Sequence, residues 1–314
     1  MTARREARFP LGMPARVYIG TSSWAEKSLV ACGRFYPPGL QDTPERLAFY
    51  AARFNLAEID STYYALPSRK NIERWAGAVP DTFRFNVKAF ALFSQHPARM
   101  SSIPKSFQEA LPPDVLKKAR VYYKDVPEDV RDELWRIYRG ALRPMREAGK
   151  LGAVLLDLPP WYVPSKANRE FLAHARERLA DDPVIVEFRN HLWVSDAESR
   201  DTTFGLLRDL QCGFVCVDEP QGLKTSFPPV AAVTAPVASV RFRGRNADRW
   251  EDKSASTEEK LNWSYKKKEL SEWLPRIEQL AAEAEEVHLV FNTKFEDQGV
   301  VNSAALQKLL GITA

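Results

Sequence analysis

Eight short apolar runs punctuate the chain, and most of them alternate apolar with polar residues. They read "RVYIGTSS", "LAEIDSTYY", "FRFNVKAF", "GAVLLDL", "VIVEFR", "GFVCVDE", "ASVRFRG" and "EVHLVFNT". A period of two sends successive side chains to opposite faces of a strand, so each run predicts a β-strand. Between most of them, apolar positions recur at helical spacing instead. In "TPERLAFYAARF" (43–54), Leu47, Tyr50, Ala51 and Phe54 form one stripe, with Thr43 as N-cap and Pro44 at the first helical position. "SKANREFLAHARERL" (165–179) carries Phe171, Leu172, Ala175 and Leu179 behind a capping Ser165. The stretch 257–285 predicts a long, charged surface helix, interrupted or kinked near Pro275. Strands alternating with helices predict a parallel sheet, and eight such units predict an α/β fold of the (β/α)8 TIM-barrel type. The alternative is an open doubly wound sheet, but no glycine-rich dinucleotide fingerprint follows the first strand.

The predicted organisation is an N-terminal arm over residues 1–15 and a single barrel domain over 16–314. One connection is unusually long. Residues 97–150 form a helical excursion between the third and fourth strands, and long excursions in compact domains are usually functional or mobile. Two readings stand side by side: a lid that starts at the mouth of the barrel, or a surface helix packed on its wall.

Applied to every run, the same alternation sorts the polar residues. Glu58 and Asp60 share a face, as do Asn86 and Lys88, Glu187 and Arg189, and Arg241 and Arg243; Asp157, Asp218 and Asn292 oppose apolar neighbours. The purely apolar face suits the surrounding helices, so the mixed face is expected to point inward. Its polar members come late in each strand, at the end where barrel enzymes carry their active sites. The inward set has five carboxylates (Glu58, Asp60, Asp157, Glu187, Asp218) and four cations (Lys88, Arg189, Arg241, Arg243). Such a balanced set can be a self-paired ion network, but buried pairs add little net stability over apolar replacements. A functional site is therefore the favoured expectation. Aromatic residues border the same strand ends: Trp24 after the first, Tyr63 and Tyr64 after the second, His96 after the third and Trp193 after the fifth. They can stack on a ligand or plug the barrel.

Composition narrows the classes. With 314 residues, 45% hydrophobic and 27% charged, the chain is long enough for a large core. Forty-five basic against 41 acidic side chains give a net charge of +4, a mild excess that argues only weakly for nucleic acid. The first twenty residues lack the apolar stretch of a secretory signal, and no run approaches a membrane span, so a cytoplasmic location is expected. Cys32, Cys212 and Cys216 are an odd and sparse set, which argues against a disulfide framework; the latter two read as core residues.

In order along the chain, "IGTSSW", "GRFYPPG", "LAEIDSTYYALPS", "FRFNVKAF", "LPP", "VEFRNHLW", "VRFRGRN" and "FN" resemble the YecE-like family, domain of unknown function 72. The resemblance runs from residue 17 to residue 311 and implies a (β/α)8-type barrel; it implies no settled activity. Several positions depart from the family pattern. Asp157 stands in "LLDLPP" where relatives commonly have Gln, and Arg243 in "RFRG" where many have His. Asn292 is followed by Thr293 rather than a second Asn, and "SSWAEKSLVACG" replaces an "SGWSY"-like segment.

Candidate chemistry follows by elimination. The four histidines, His96, His174, His191 and His288, show no HxH or HExxH spacing, so no zinc site is expected. A divalent cation on Glu58, Glu187 and Asp218 is a further arrangement, opposed by the neighbouring lysine and arginines; no cofactor is expected. There is no G-x-S-x-G elbow and no phosphate loop. Acid–base chemistry on a small anionic, sugar- or nucleotide-like molecule fits best, by a hydrolase, lyase or isomerase. Glu187, Glu58, Lys88 and Asp218 are the catalytic candidates. Arg189, Arg241 and Arg243 are the anion holders, with Asp60, Asp157, Trp24, Tyr63, His96 and Asn292 shaping the pocket. The rival expectations are a nucleic-acid-binding or processing protein, whose affinity would fall with salt, and a non-catalytic scaffold that docks a partner through residues 97–150.

Overall fold

The computed structural model describes residues 15–40, 42–180 and 182–312. The arm expected over residues 1–15 lies, apart from Ala15, outside the described residues. Eight parallel strands close into a barrel. They are β1 (Arg16–Thr21), β2 (Leu56–Ile59), β3 (Arg84–Lys88), β4 (Leu151–Asp157), β5 (Val184–Glu187), β6 (Cys212–Asp218), β7 (Val237–Phe242) and β8 (Glu286–Phe291). Around the barrel each strand is hydrogen-bonded to its sequence neighbours, and β8 closes back onto β1. All eight fall on the runs that the alternation marks.

The main connecting helices are α1 (Thr43–Ala51), α2 (Arg69–Gly77), α3 (Glu128–Glu147), α4 (Lys166–Leu179), α5 (Ala197–Asp209), α6 (Leu274–Glu283) and α7 (Gln298–Leu309). Residues 219–236, between β6 and β7, hold no helix. The N-cap of α1 is Asp42, one residue before the expected Thr43, with Pro44 in the first turn. Ser165 caps α4 as expected, its hydroxyl accepting from the Asn168 amide at 3.2 Å. The long helix expected over 257–285 is instead three short ones: Thr257–Lys260, Lys267–Ser271 and Leu274–Glu283. Burial of Leu261, Tyr265 and Trp273 turns the chain inward between them, and Pro275 opens the last rather than kinking it.

The chain divides into two compact units, Met1–Ala57 with Cys216–Ala314, and Glu58–Val215. In the first, β1 lies fully in register with β8, from Arg16 opposite Glu286 to Thr21 opposite Phe291. Its other edge meets β2 at only two positions, Gly20 opposite Leu56 and Thr21 opposite Ala57. A Cβ on Gly20 would stand 1.7 Å from the Leu56 carbonyl oxygen, so glycine is what lets the strands approach. Side chains satisfy that edge further along. The Thr21 amide donates to the Tyr50 hydroxyl at 2.7 Å, which itself donates to the Leu56 carbonyl at 2.8 Å. The Ile19 amide donates to Asn55 Oδ1 at 2.8 Å, and Asn55 Nδ2 donates to the Val17 carbonyl at 3.1 Å. Tyr18, Leu56 and Val290 pack together as a buried cluster.

The second unit contains the 97–150 excursion. It opens with a two-stranded antiparallel piece, Ala98–Arg99 against Arg120–Val121, and ends in α3. That helix packs against α2, α4 and β4 and buries Val130, Leu134, Trp135, Tyr138, Leu142 and Met145. Trp135 stacks on Phe93 with ring centroids 3.6 Å apart and donates to the Tyr123 hydroxyl at 3.1 Å. Of the two readings of the excursion, its α3 portion follows the second: this helix is part of the wall.

Candidate functional site

Within Glu58–Val215 the strand register fixes which polar side chains share a face. Lys88 lies opposite Leu155, and Asp157 lies opposite Glu187. Alternation then puts Asn86, Lys88, Asp157 and Glu187 on one face. Val184, Val186 and Phe188 take the other, where Phe188 stacks on Trp193 at 4.3 Å. Asp157 and Glu187 are last in their strands, which run side by side about 4.8 Å apart. Glu58 and Glu187 are fully buried, and each is engaged by further polar interactions.

Lys88 sits at the centre of this set. Its Nζ lies 2.9 Å from Asp157 Oδ2 and 3.8 Å from Asp60 Oδ1, and stands 5.0 Å over the ring of Tyr63. Its own carbonyl accepts from the Thr62 hydroxyl at 2.6 Å and the Tyr138 hydroxyl at 3.2 Å. The second bond comes from α3, so the wall helix helps fix the base of the lysine. The side chains of Lys88 and Asp157 are 15% and 8% exposed, enough to reach solvent.

A series of rings leads away from the lysine. Tyr63 meets Tyr64 at 5.0 Å and His96 at 5.3 Å, and His96 meets Trp161 at 5.8 Å. Burial pushes the Tyr63 phenol up to about 12. Burial also pulls the His96 imidazole down to about 4; Asp157 opposes this and Lys88 and Arg189 add to it. His96 is therefore a neutral ring near pH 7. Trp161 escaped the sequence reading because it lies four residues past β4, behind two prolines, although an aromatic residue after a strand end was the signal used for its neighbours. The turn that carries it is anchored: Asn190 Nδ2 donates to the Pro160 carbonyl at 2.7 Å.

The other unit holds a different kind of cluster. Arg243 lies 3.3 Å from Glu219, both nearly fully buried, and Glu219 also accepts the Phe227 amide at 2.7 Å. Arg243 is thus matched by a carboxylate one residue beyond the expected set. Arg241 is buried and likewise engaged. Asp218 does not belong to the inward face. Register places Val186 opposite Phe214, whose ring packs on Phe204 of α5, and Asp218 has the same parity as Phe214. It pairs with Arg245 at 3.0 Å, and Arg245 reaches on to Glu272 at 2.8 Å. Burial holds the Asp218 carboxyl above its usual range, against the pull of Arg245. Such an arrangement is an ion network behind the strand, and Asp218 leaves the acid–base candidates. Asn292 Oδ1 accepts from the Ser22 hydroxyl at 2.6 Å. Trp24 is 3% exposed and its carbonyl accepts from the Tyr36 hydroxyl, so it packs as a core residue rather than presenting a ring face. Trp193, fully buried between Phe188 and Tyr162, does the same.

Among the described residues no group of three or more His, Cys, Asp or Glu is placed to hold a metal ion, and no helix is long and apolar enough to cross a membrane. Comparison with known proteins gives consistent matches. UPF0759 protein YunF of Bacillus subtilis (strain 168) is 26% identical over 300 residues, which is 94% of this chain and 95% of that protein. The crystal structure of a DUF72 family protein from Enterococcus faecalis V583 superposes with a TM-score of 0.76 at 25% identity, over 95% of this chain and 96% of the other. One from Thermotoga maritima MSB8 gives 0.71 at 27% identity, over 94% and 99%. The family described as "Protein of unknown function DUF72" matches residues 18–314, and the chain belongs to it.

Proposed function

We propose that the strand ends carrying Lys88, Asp157 and Glu187 bind a small anionic, sugar- or nucleotide-like molecule and act on it by proton transfer. One observation carries the reading: a lysine held by two carboxylates, beside an in-register carboxylate pair, at the ends of parallel strands where barrels place their chemistry. An ammonium so held serves as a fixed positive charge and hydrogen-bond donor, not as a free amine nucleophile. Asp157 and Glu187 face the same way from neighbouring strands. A pair of carboxyl groups so placed offers a proton donor and a proton acceptor to one bound molecule. Glu187 is the acid–base residue in this reading, with Glu58 the second candidate. Arg189 holds the anionic group, while Lys88 hydrogen-bonds the body of the ligand.

Thermal shifts with phosphorylated sugars, nucleotides and organic acids test this. A ligand at 100 times its dissociation constant stabilises the fold by about 2.7 kcal/mol, a readily measured shift. The shift is expected with at least one anionic class and is lost in Lys88→Met. Absence of any shift across these classes overturns the proposal. Exposed rings favour a second reading. Tyr64 is 65% and Trp161 59% exposed, and single-stranded nucleic acid stacks on such faces. Binding of a short oligonucleotide that weakens steeply with salt would select that reading.

A further inference from the structure

We propose that Lys88 and Asp157 form a subsite for a sugar ring bearing two adjacent hydroxyl groups, with Trp161, past Tyr63 and His96, stacking on a second ring of the same ligand and any anionic group placed toward Arg189. This rests on the preceding assignment of a ligand to these strand ends, and it names the part of that ligand that Lys88 touches. The ammonium of Lys88 and the carboxylate of Asp157, 2.9 Å apart and both reaching solvent, are a donor and an acceptor fixed side by side. Neighbouring hydroxyls on a saturated ring are spaced about one hydrogen-bond length apart and match that pair. One hydroxyl donates to Asp157 while the next accepts from Lys88, so the two together meet the acceptor and the donor of the pair. A phosphate or carboxylate is an acceptor only, and beside Lys88 it would meet Asp157 and, at 3.8 Å from the same nitrogen, Asp60. Repulsion from two carboxylates disfavours an anion there. Arg189 lies within electrostatic reach of His96 and Tyr63 and carries the charge an anionic group needs.

The rings supply the other half of the argument. Trp161 is 59% exposed although its indole is the largest apolar surface a residue can offer, and the anchored Pro159–Pro160 turn holds its backbone in place. A second ring of the ligand, sugar or base, stacks on such a surface. His96 stands between Trp161 and Tyr63 as an uncharged ring, so the path from the indole to Lys88 carries no charge of its own.

Isothermal titration of the full chain with matched pairs tests the inference: nucleotides and phosphorylated disaccharides, their deoxy counterparts lacking one of the adjacent hydroxyls, and inorganic phosphate. Loss of the hydroxyl is expected to weaken binding about tenfold or more, because it leaves a charged group of the pair unmatched. Trp161→Ala is expected to weaken the hydroxylated compounds by about three- to tenfold. Trp161→Phe, which keeps a ring, should recover part of that loss, and circular dichroism checks that both variants fold. Equal affinity within each matched pair, or tight binding of inorganic phosphate alone, refutes the diol subsite while leaving the anionic reading standing. Selective binding of unphosphorylated sugars supports the subsite and refutes the anionic reading. If no compound binds, both fall.

Discussion

The Lys88–Asp157 pair permits a quantitative test of how the strand ends are held. At 2.9 Å and an effective dielectric of about 20, two unit charges attract by about 6 kcal/mol before desolvation is subtracted. Removing one member of a buried pair typically costs about 3–5 kcal/mol, because the other is left as an uncompensated charge. Both side chains here reach solvent, so Lys88→Met is expected to lower stability by about 2–3 kcal/mol. Asp157→Asn removes the opposing charge, and the double variant should recover part of the loss. The coupling energy in the cycle is expected near 1.5 kcal/mol. The analogous cycle with Asp60, 3.8 Å from the same nitrogen, should give about three quarters of that from the longer distance alone. Urea unfolding at pH 7 measures all these variants, and the coupling should change little with added salt because the pair is mostly shielded from water. A coupling below about 0.3 kcal/mol would mean that the charges do not meet in solution, and the site described above would lose its centre.

Other expectations follow from single residues. His96, held down near 4, takes up a proton in the unfolded chain before it does so in the folded one. Stability should therefore rise with pH between about 4 and 6.5, by at most about 1.4 kcal/mol per unit, and flatten above; His96→Gln should remove that slope in urea midpoints measured against pH. Trp135→Ala empties the space against Phe93 and is expected to cost about 3–5 kcal/mol, read as a fall in melting temperature. A cost under 1 kcal/mol would show that α3 is not part of the wall. Gly20→Ala drives a methyl group into the Leu56 carbonyl, and expression should yield insoluble or unfolded protein; a variant with wild-type melting temperature contradicts the close approach described for β1 and β2.

Much of the barrel was legible because strand alternation is a local signal. The eight runs were found, and Lys88, Asp157 and Glu187 were correctly placed on a common face, since within a regular strand parity alone decides facing. Asp218 shows where that logic stops. Its strand is apolar on both faces, so nothing in "CGFVCVD" says which parity turns inward; only the register with β5 and the packing of Phe214 on α5 decide it. The pairing of Arg243 with Glu219 and of Arg245 with Glu272 was equally hidden, because those partners lie 24 and 27 residues apart and meet only through the fold. The broken helix over 257–285 has a related cause: helical periodicity was read from its charged residues, while Tyr265 and Trp273 answered to burial.

The two edges of β1 differ in kind. Toward β8 it is laced by backbone along its whole length; toward β2 the backbone pairs only at its end, and the phenol of Tyr50 and the amide of Asn55 take over the remaining hydrogen bonds. A stave joined by side chains can be prised away without breaking a ladder, so the barrel has a seam. Transient openings will begin there, with β1 staying attached to β8, and the first slow-exchanging amides to give up their protons should be those of Ile19 and Thr21. The same seam is where new chain ends, or an inserted domain, would disturb the rest of the barrel least.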